Sequence, residues 1–137
     1  MGSQIKLLYD LLKINSDQFY NELLRLDFAI WVFLLTAIIS LFLVVLYYYI
    51  IDRPKTANLT IWIVFLIINA LLLSILANVV ASNTIIDDYL SNGLEVPDYF
   101  QDLIYFSFMN FLIAALLFLL WSLILKWKSS NSSHVPF

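Results

Sequence analysis

Three apolar runs, none holding a charged residue, decide what this chain can become: "AIWVFLLTAIISLFLVVLYYYII" at 29–51, "LTIWIVFLIINALLLSILANVVA" at 59–81 and "LIYFSFMNFLIAALLFLLWSLIL" at 103–125. A bilayer core of about 30 Å is crossed by about 20 apolar helical residues, and each run meets that length. Lipid offers the backbone no hydrogen-bond partners, so each run should form one unbroken helix. Both glycines and all three prolines fall outside the runs. The expected fold is all-α: a polytopic membrane protein with three transmembrane helices and an N-terminal amphipathic helical arm. Its parts are an arm at 1–28, spans at 29–51, 59–81 and 103–125, a short basic link at 52–58, an acidic loop with a short surface helix at 82–102, and a polar tail at 126–137.

Composition supports this class. The chain is 63% hydrophobic and 12% charged, against roughly 25% charged in ordinary soluble domains. So much apolar surface in 137 residues needs lipid or a partner to cover it. A net charge of −3 argues against nucleic-acid binding, which needs basic patches. The chain has no cysteine and one histidine, His134, which excludes thiol chemistry and His-rich metal sites. No catalytic, cofactor-binding or metal-ligating residues are expected. The spans carry none of the ionisable residues that ion-coupled carriers use, and no Gly or Pro breaks.

In the arm, Lys6, Asp10, Lys13 and Asp17 recur at helical spacing around Ile5, Leu7, Leu8, Leu11 and Leu12. That pattern predicts an amphipathic helix on the membrane surface or on a partner. Asn15 and Ser16 mark a break and a cap for a second helical piece, expected to run straight into the first span. Trp31, Trp62, Tyr47, Tyr48, Tyr49, Trp121 and Trp127 lie near span ends, where an aromatic belt is expected. Arg53 and Lys55 in the link, and Lys126 and Lys128 in the tail, point to the cytoplasmic side. The expected location is a bacterial inner membrane with the C-terminus cytoplasmic and the acidic loop outside.

That loop, "IIDDYLSNGLEVPDYFQD" at 85–102, holds five of the chain's ten acids: Asp87, Asp88, Glu95, Asp98 and Asp102. Most have local explanations. Thr84 can cap a short helix, with Asp87 in its first turn, and Gly93 can end it. Pro97 suits the first turn of the next helix, where Asp98 and Asp102 favour the macrodipole. The main expectation is a solvated cap; a docking surface for a basic partner, or the rim of a pore, is the functional alternative.

The most specific signal lies within the spans. Ala70, Ser74, Ala77, Asn78 and Ala81 make a small, polar stripe on the second; Thr36 and Ser40 on the first and Ser107, Asn110 and Ala114 on the third match it. Helices in lipid associate through close packing of small residues and through polar bonds, so these stripes should be helix or subunit interfaces. Asn69, read as lying on another face, calls for a partner, and a second chain could supply one. The expected function is a non-enzymatic membrane subunit that self-associates, or that anchors or scaffolds a larger membrane complex. The alternative is an oligomeric pore or membrane-perturbing effector, with Asn110 in its lumen.

Overall fold

The computed structural model describes residues 2–11, 15–51 and 59–126. The basic link 52–58 and the tail beyond Lys126 lie outside the described residues, as does Trp127. The described chain is all-α and has no strands. Helix α1 (Gly2–Tyr9) and α2 (Asp17–Leu26) form the arm, and α3 (Phe28–Leu46) ends in a π-helical turn (Tyr47–Ile51). Helices α4 (Leu59–Ser91) and α5 (Phe100–Lys126) complete a three-helix bundle. Three helices are long and apolar enough to cross a membrane.

Helix α4 is 33 residues long, about 50 Å at 1.5 Å per residue. That exceeds the roughly 30 Å hydrocarbon core. Its apolar part ends at Ala81, so residues 82–91 rise beyond it as a post. No separate surface helix forms there. Thr84 caps nothing; its hydroxyl donates to the Val80 carbonyl, 2.8 Å away, inside α4. The helix stops at Gly93, whose φ is +67°. The amides of Gly93 and Leu94 donate back to the carbonyls of Leu90 and Tyr89, the paired closure that a glycine in this conformation permits. Pro97 precedes α5 rather than opening it.

The arm does not run straight into the first span. Ser16 caps α2, its hydroxyl accepting from the Phe19 amide at 3.3 Å. Asp27 then takes a left-handed conformation, φ +56°, and bends the chain between α2 and α3. Aspartate tolerates this region better than most residues. The corner is sealed from α1. Lys6, 8% exposed, donates to the Leu24 carbonyl at 2.7 Å and pairs with Asp27. A cation there satisfies a carbonyl that the end of α2 leaves open.

The arm also covers one end of the bundle. Phe19 and Leu23 are fully buried, together with Phe28, Ile85 and Phe106. Phe19 meets Phe28, Tyr99 and Phe106 edge-on, with ring centres 5.6–6.1 Å apart. Rings of this size carry much apolar area, and edge-on pairs add to it. At the opposite end of the bundle the aromatics turn inward. Trp62, Tyr47 and Tyr48 are buried and pack with Phe118, so they belong to the core and not to a lipid belt; Trp31 and Tyr49 are exposed.

Two acids clamp the arm. Asp102 accepts from both the amide and the hydroxyl of Ser16, at 2.6 and 2.9 Å. Asp88 accepts from Arg25, which also pairs with Glu22. Asp88 first and Glu22 second hold the guanidinium charged above its ordinary range. Asp102→Ala should therefore release the arm, at a cost of about 1–3 kcal/mol for the unpaired groups at Ser16. Hydrogen exchange should rise across residues 2–11 and 16–26 while the interior of α4 keeps its protection. Equal protection of the arm in mutant and parent would refute the clamp.

Candidate functional site

The polar residues of the spans form a ladder of contacts between helices. At its centre stands Asn110 of α5, fully buried. Its Oδ1 accepts from the Tyr9 hydroxyl at 2.6 Å and lies 3.1 Å from the Thr36 hydroxyl. Thr36 shares its hydrogen with the Val32 carbonyl at 2.7 Å. Asn110 Nδ2 donates to the Leu73 carbonyl at 2.8 Å. One side chain thus joins α1, α3, α4 and α5. Tyr9 stacks on Phe106 at 4.5 Å. Burial pushes its phenol above the ordinary range.

Further along the bundle stands Asn69 of α4, also fully buried. The Ser40 hydroxyl donates to its Oδ1 at 3.1 Å, and its Nδ2 donates to the Ala114 carbonyl at 3.0 Å. This corrects the expectation that Asn69 needs a second chain: it faces the core, and the chain satisfies it. The next rung is Trp62, whose indole donates to Ser122 at 3.4 Å. Ala70, Ala77 and Ala114 are buried at 0% exposure, which allows close approach within the bundle. Asn110 likewise lies in the core of the described bundle, at 0% exposure.

The stripe on α4 therefore divides. Its alanines face inward, while Ser74 and Asn78 lie at the outer seam between α4 and α5. Ser74 donates to the Ser107 carbonyl at 3.0 Å. Asn78 Nδ2 donates to Ser107 Oγ at 3.1 Å and more weakly to the Leu103 carbonyl at 3.4 Å. Ser107 donates to the same Leu103 carbonyl at 2.7 Å. Above these three polar residues the seam opens into a groove of about 530 Å³, walled by Ile75, Val79, Ile104, Phe108 and Phe111. That volume is within the range of small-molecule sites, roughly 300–1,000 Å³.

The acidic segment is partly spent on the fold. Asp88 and Asp102 hold the arm, and Asp98 accepts from the Phe100 amide at 3.0 Å, at the start of α5. Asp87 and Glu95 are exposed. Among the described residues no group of three metal-ligating side chains comes together. Sequence reasoning missed Tyr9 and Lys6. Both sit in an arm expected to lie on the surface, and their partners are distant in the chain.

The ladder and the outer surface should respond differently to truncation. Asn69→Ala strands Ser40 and the Ala114 carbonyl in the buried core and should cost about 1–3 kcal/mol. Leu72→Ala, at a position 53% exposed, should change stability by about 0.5 kcal/mol or less. Titration with a denaturing detergent, read by circular dichroism, orders the two; equal midpoints would dismiss the ladder as a source of stability.

No family model matches this chain, and neither does any curated protein or solved structure, so the reading of the site rests on its geometry.

Proposed function

We propose that this protein is a non-enzymatic, multi-pass membrane subunit that acts as an anchor or scaffold for other proteins. The observation that carries this reading is the ladder. Thr36, Ser40, Asn69 and Asn110 bond to one another or to neighbouring backbone inside one chain. Polar side chains bound in this way stiffen a bundle and line no water path. A rigid three-span unit with an extramembrane cap is suited to holding partners in place.

The cap is the surface we assign to those partners. It presents the exposed acids Asp87 and Glu95 beside the α4 post, and a basic protein segment is the complementary occupant. We further propose a bacterial inner membrane, with link and tail cytoplasmic and the cap outside, on the basic residues of link and tail. Self-association has less support, because the small residues that bring helices together are already used within the chain.

The pore reading keeps one specific feature. Ser74, Asn78 and Ser107 form a polar line at the outer seam, and copies turned toward one another could enclose it. Purified protein in planar bilayers separates the two readings. The anchor predicts a monomeric detergent complex and background conductance. Steady cation-selective currents that shrink in Asn78→Leu would establish the pore. Sidedness is tested by cysteines placed at Thr56 and at Ser91, treated with an impermeant thiol reagent on intact cells. Position 91 should label and position 56 should not; the reverse pattern would invert the orientation.

A further inference from the structure

The α4 post carries apolar side chains above the membrane. Leu90 is 63% exposed, and Leu94, which the turn at Gly93 sets beside the end of the helix, is 58% exposed. Leu90 lies nine residues beyond Ala81, about 13 Å at 1.5 Å per residue. The headgroup layer adds only about 5–8 Å to each side of the hydrocarbon core. Both leucines therefore stand in water, and lipid does not cover them.

One turn below Leu90, Ile86 is also exposed and lines a cavity of about 210 Å³ together with Val96, Pro97 and Phe100. Phe100 is 69% exposed. The apolar strip thus rises from Phe100 and Ile86 at the foot of the post to Leu90 and Leu94 at its top. The cavity is smaller than small-molecule sites, roughly 300–1,000 Å³. It has room for one bulky side chain, the kind of anchor that dominates protein interfaces.

The charge beside the strip is one-sided. Residues 1–28 and 82–102 hold nine of the chain's ten acids and three of its seven basic residues. Lys6 and Arg25 are engaged with Asp27, Glu22 and Asp88. Asp87, Glu95 and Asp98 are exposed and pair with no cation among the described residues. Asp98 also lines the cavity, where its Oδ1 accepts from the Phe100 amide. A second copy would bring the same acids against this face, and like charges oppose that contact. An anionic lipid surface is opposed in the same way. A cationic protein segment is attracted.

We propose that this strip docks a basic amphipathic helix of a partner protein. One bulky apolar side chain of that helix enters the cavity, apolar residues a turn away cover Leu90 and Leu94, and its lysines or arginines face Asp87, Glu95 and Asp98. The inference rests on the reading of the cap as a surface for basic partners, and adds the apolar contact that holds them.

The test uses the full chain in phosphatidylcholine nanodiscs and a fluorescent synthetic peptide of about 15 residues, long enough for a helix. Its apolar face is leucine with one central Trp, its polar face is lysine, and binding to empty discs is subtracted. Two control peptides replace the Trp with Ala, or every Lys with Glu. The Trp peptide should bind about tenfold more tightly than the Ala peptide, as one seated anchor supplies, and the Glu peptide should not bind. Val96→Trp fills the cavity, leaves the acids in place and should abolish the preference for Trp. Asp87→Asn, Glu95→Gln and Asp98→Asn together should weaken binding and flatten its salt dependence while keeping that preference. Equal binding of Trp and Ala peptides to the parent, with the charge effect intact, would overturn the docking cavity and leave the basic-partner reading standing. No lysine peptide binding above empty discs would overturn both. Dimers of the parent that Leu90→Glu dissolves would give the strip to a second copy and overturn the proposal as well.

Discussion

The bundle depends on a single amide buried among hydrocarbon side chains. Asn110 gathers a tyrosine from the arm, a threonine from α3 and a backbone carbonyl from α4 around one α5 side chain. In water such bonds would replace equally good bonds to solvent. In a membrane core there is no solvent to replace, and the unbonded alternative is poor for every group involved. Each bond in such a setting contributes only about 0.6 kcal/mol on average. What Asn110 adds beyond that is a fixed register: with all its groups satisfied in one arrangement, sliding α5 by a turn would strand each of them.

Asn69 and Trp62 repeat the device at other levels, and alanines fill the spaces between. Polar bonds set alignment, and small residues let the backbones close around it. The exterior follows from this. With alanines and amides turned inward, the outside is left with Leu, Ile, Val and Phe, as a surface solvated by lipid tails requires. The seam at Asn78 departs from that separation, and there Ser74 and Asn78 bond to Ser107 along the edge of a groove.

How far the sequence reveals this differs from residue to residue. The spans are legible because a long run without charge admits few structures other than a crossing helix. The breaks at Ser16 and Gly93 are legible because cap chemistry is local. The direction of Asn69 is not. Along α4 the residues at 69, 70, 73 and 77 face the core while those at 74 and 78 flank it, so the small and polar residues cover more than one face and spacing does not choose between them. Trp62 and Tyr47 are equally ambiguous, since a ring near a span end suits a lipid belt or a core. The partners of Asp88 and Asp102 lie 63 and 86 residues away. No local pattern reports such pairs, and the acids therefore read as solvated surface.

The arm's contacts carry a consequence for the order in which the molecule is made. Tyr9 leaves the ribosome well before its acceptor on Asn110, which lies 101 residues downstream. Ser16 waits for Asp102 in the same way. Until the third helix has entered the bilayer, the arm has no seat and remains an amphipathic segment at the lipid surface. Long-range contacts of this kind close late, after the segments they join are both present. Docking of the arm thus follows entry of the third helix, and its seating distinguishes a chain with three crossings from one stalled after two. A quality-control protease that cleaves exposed segments would read that difference directly.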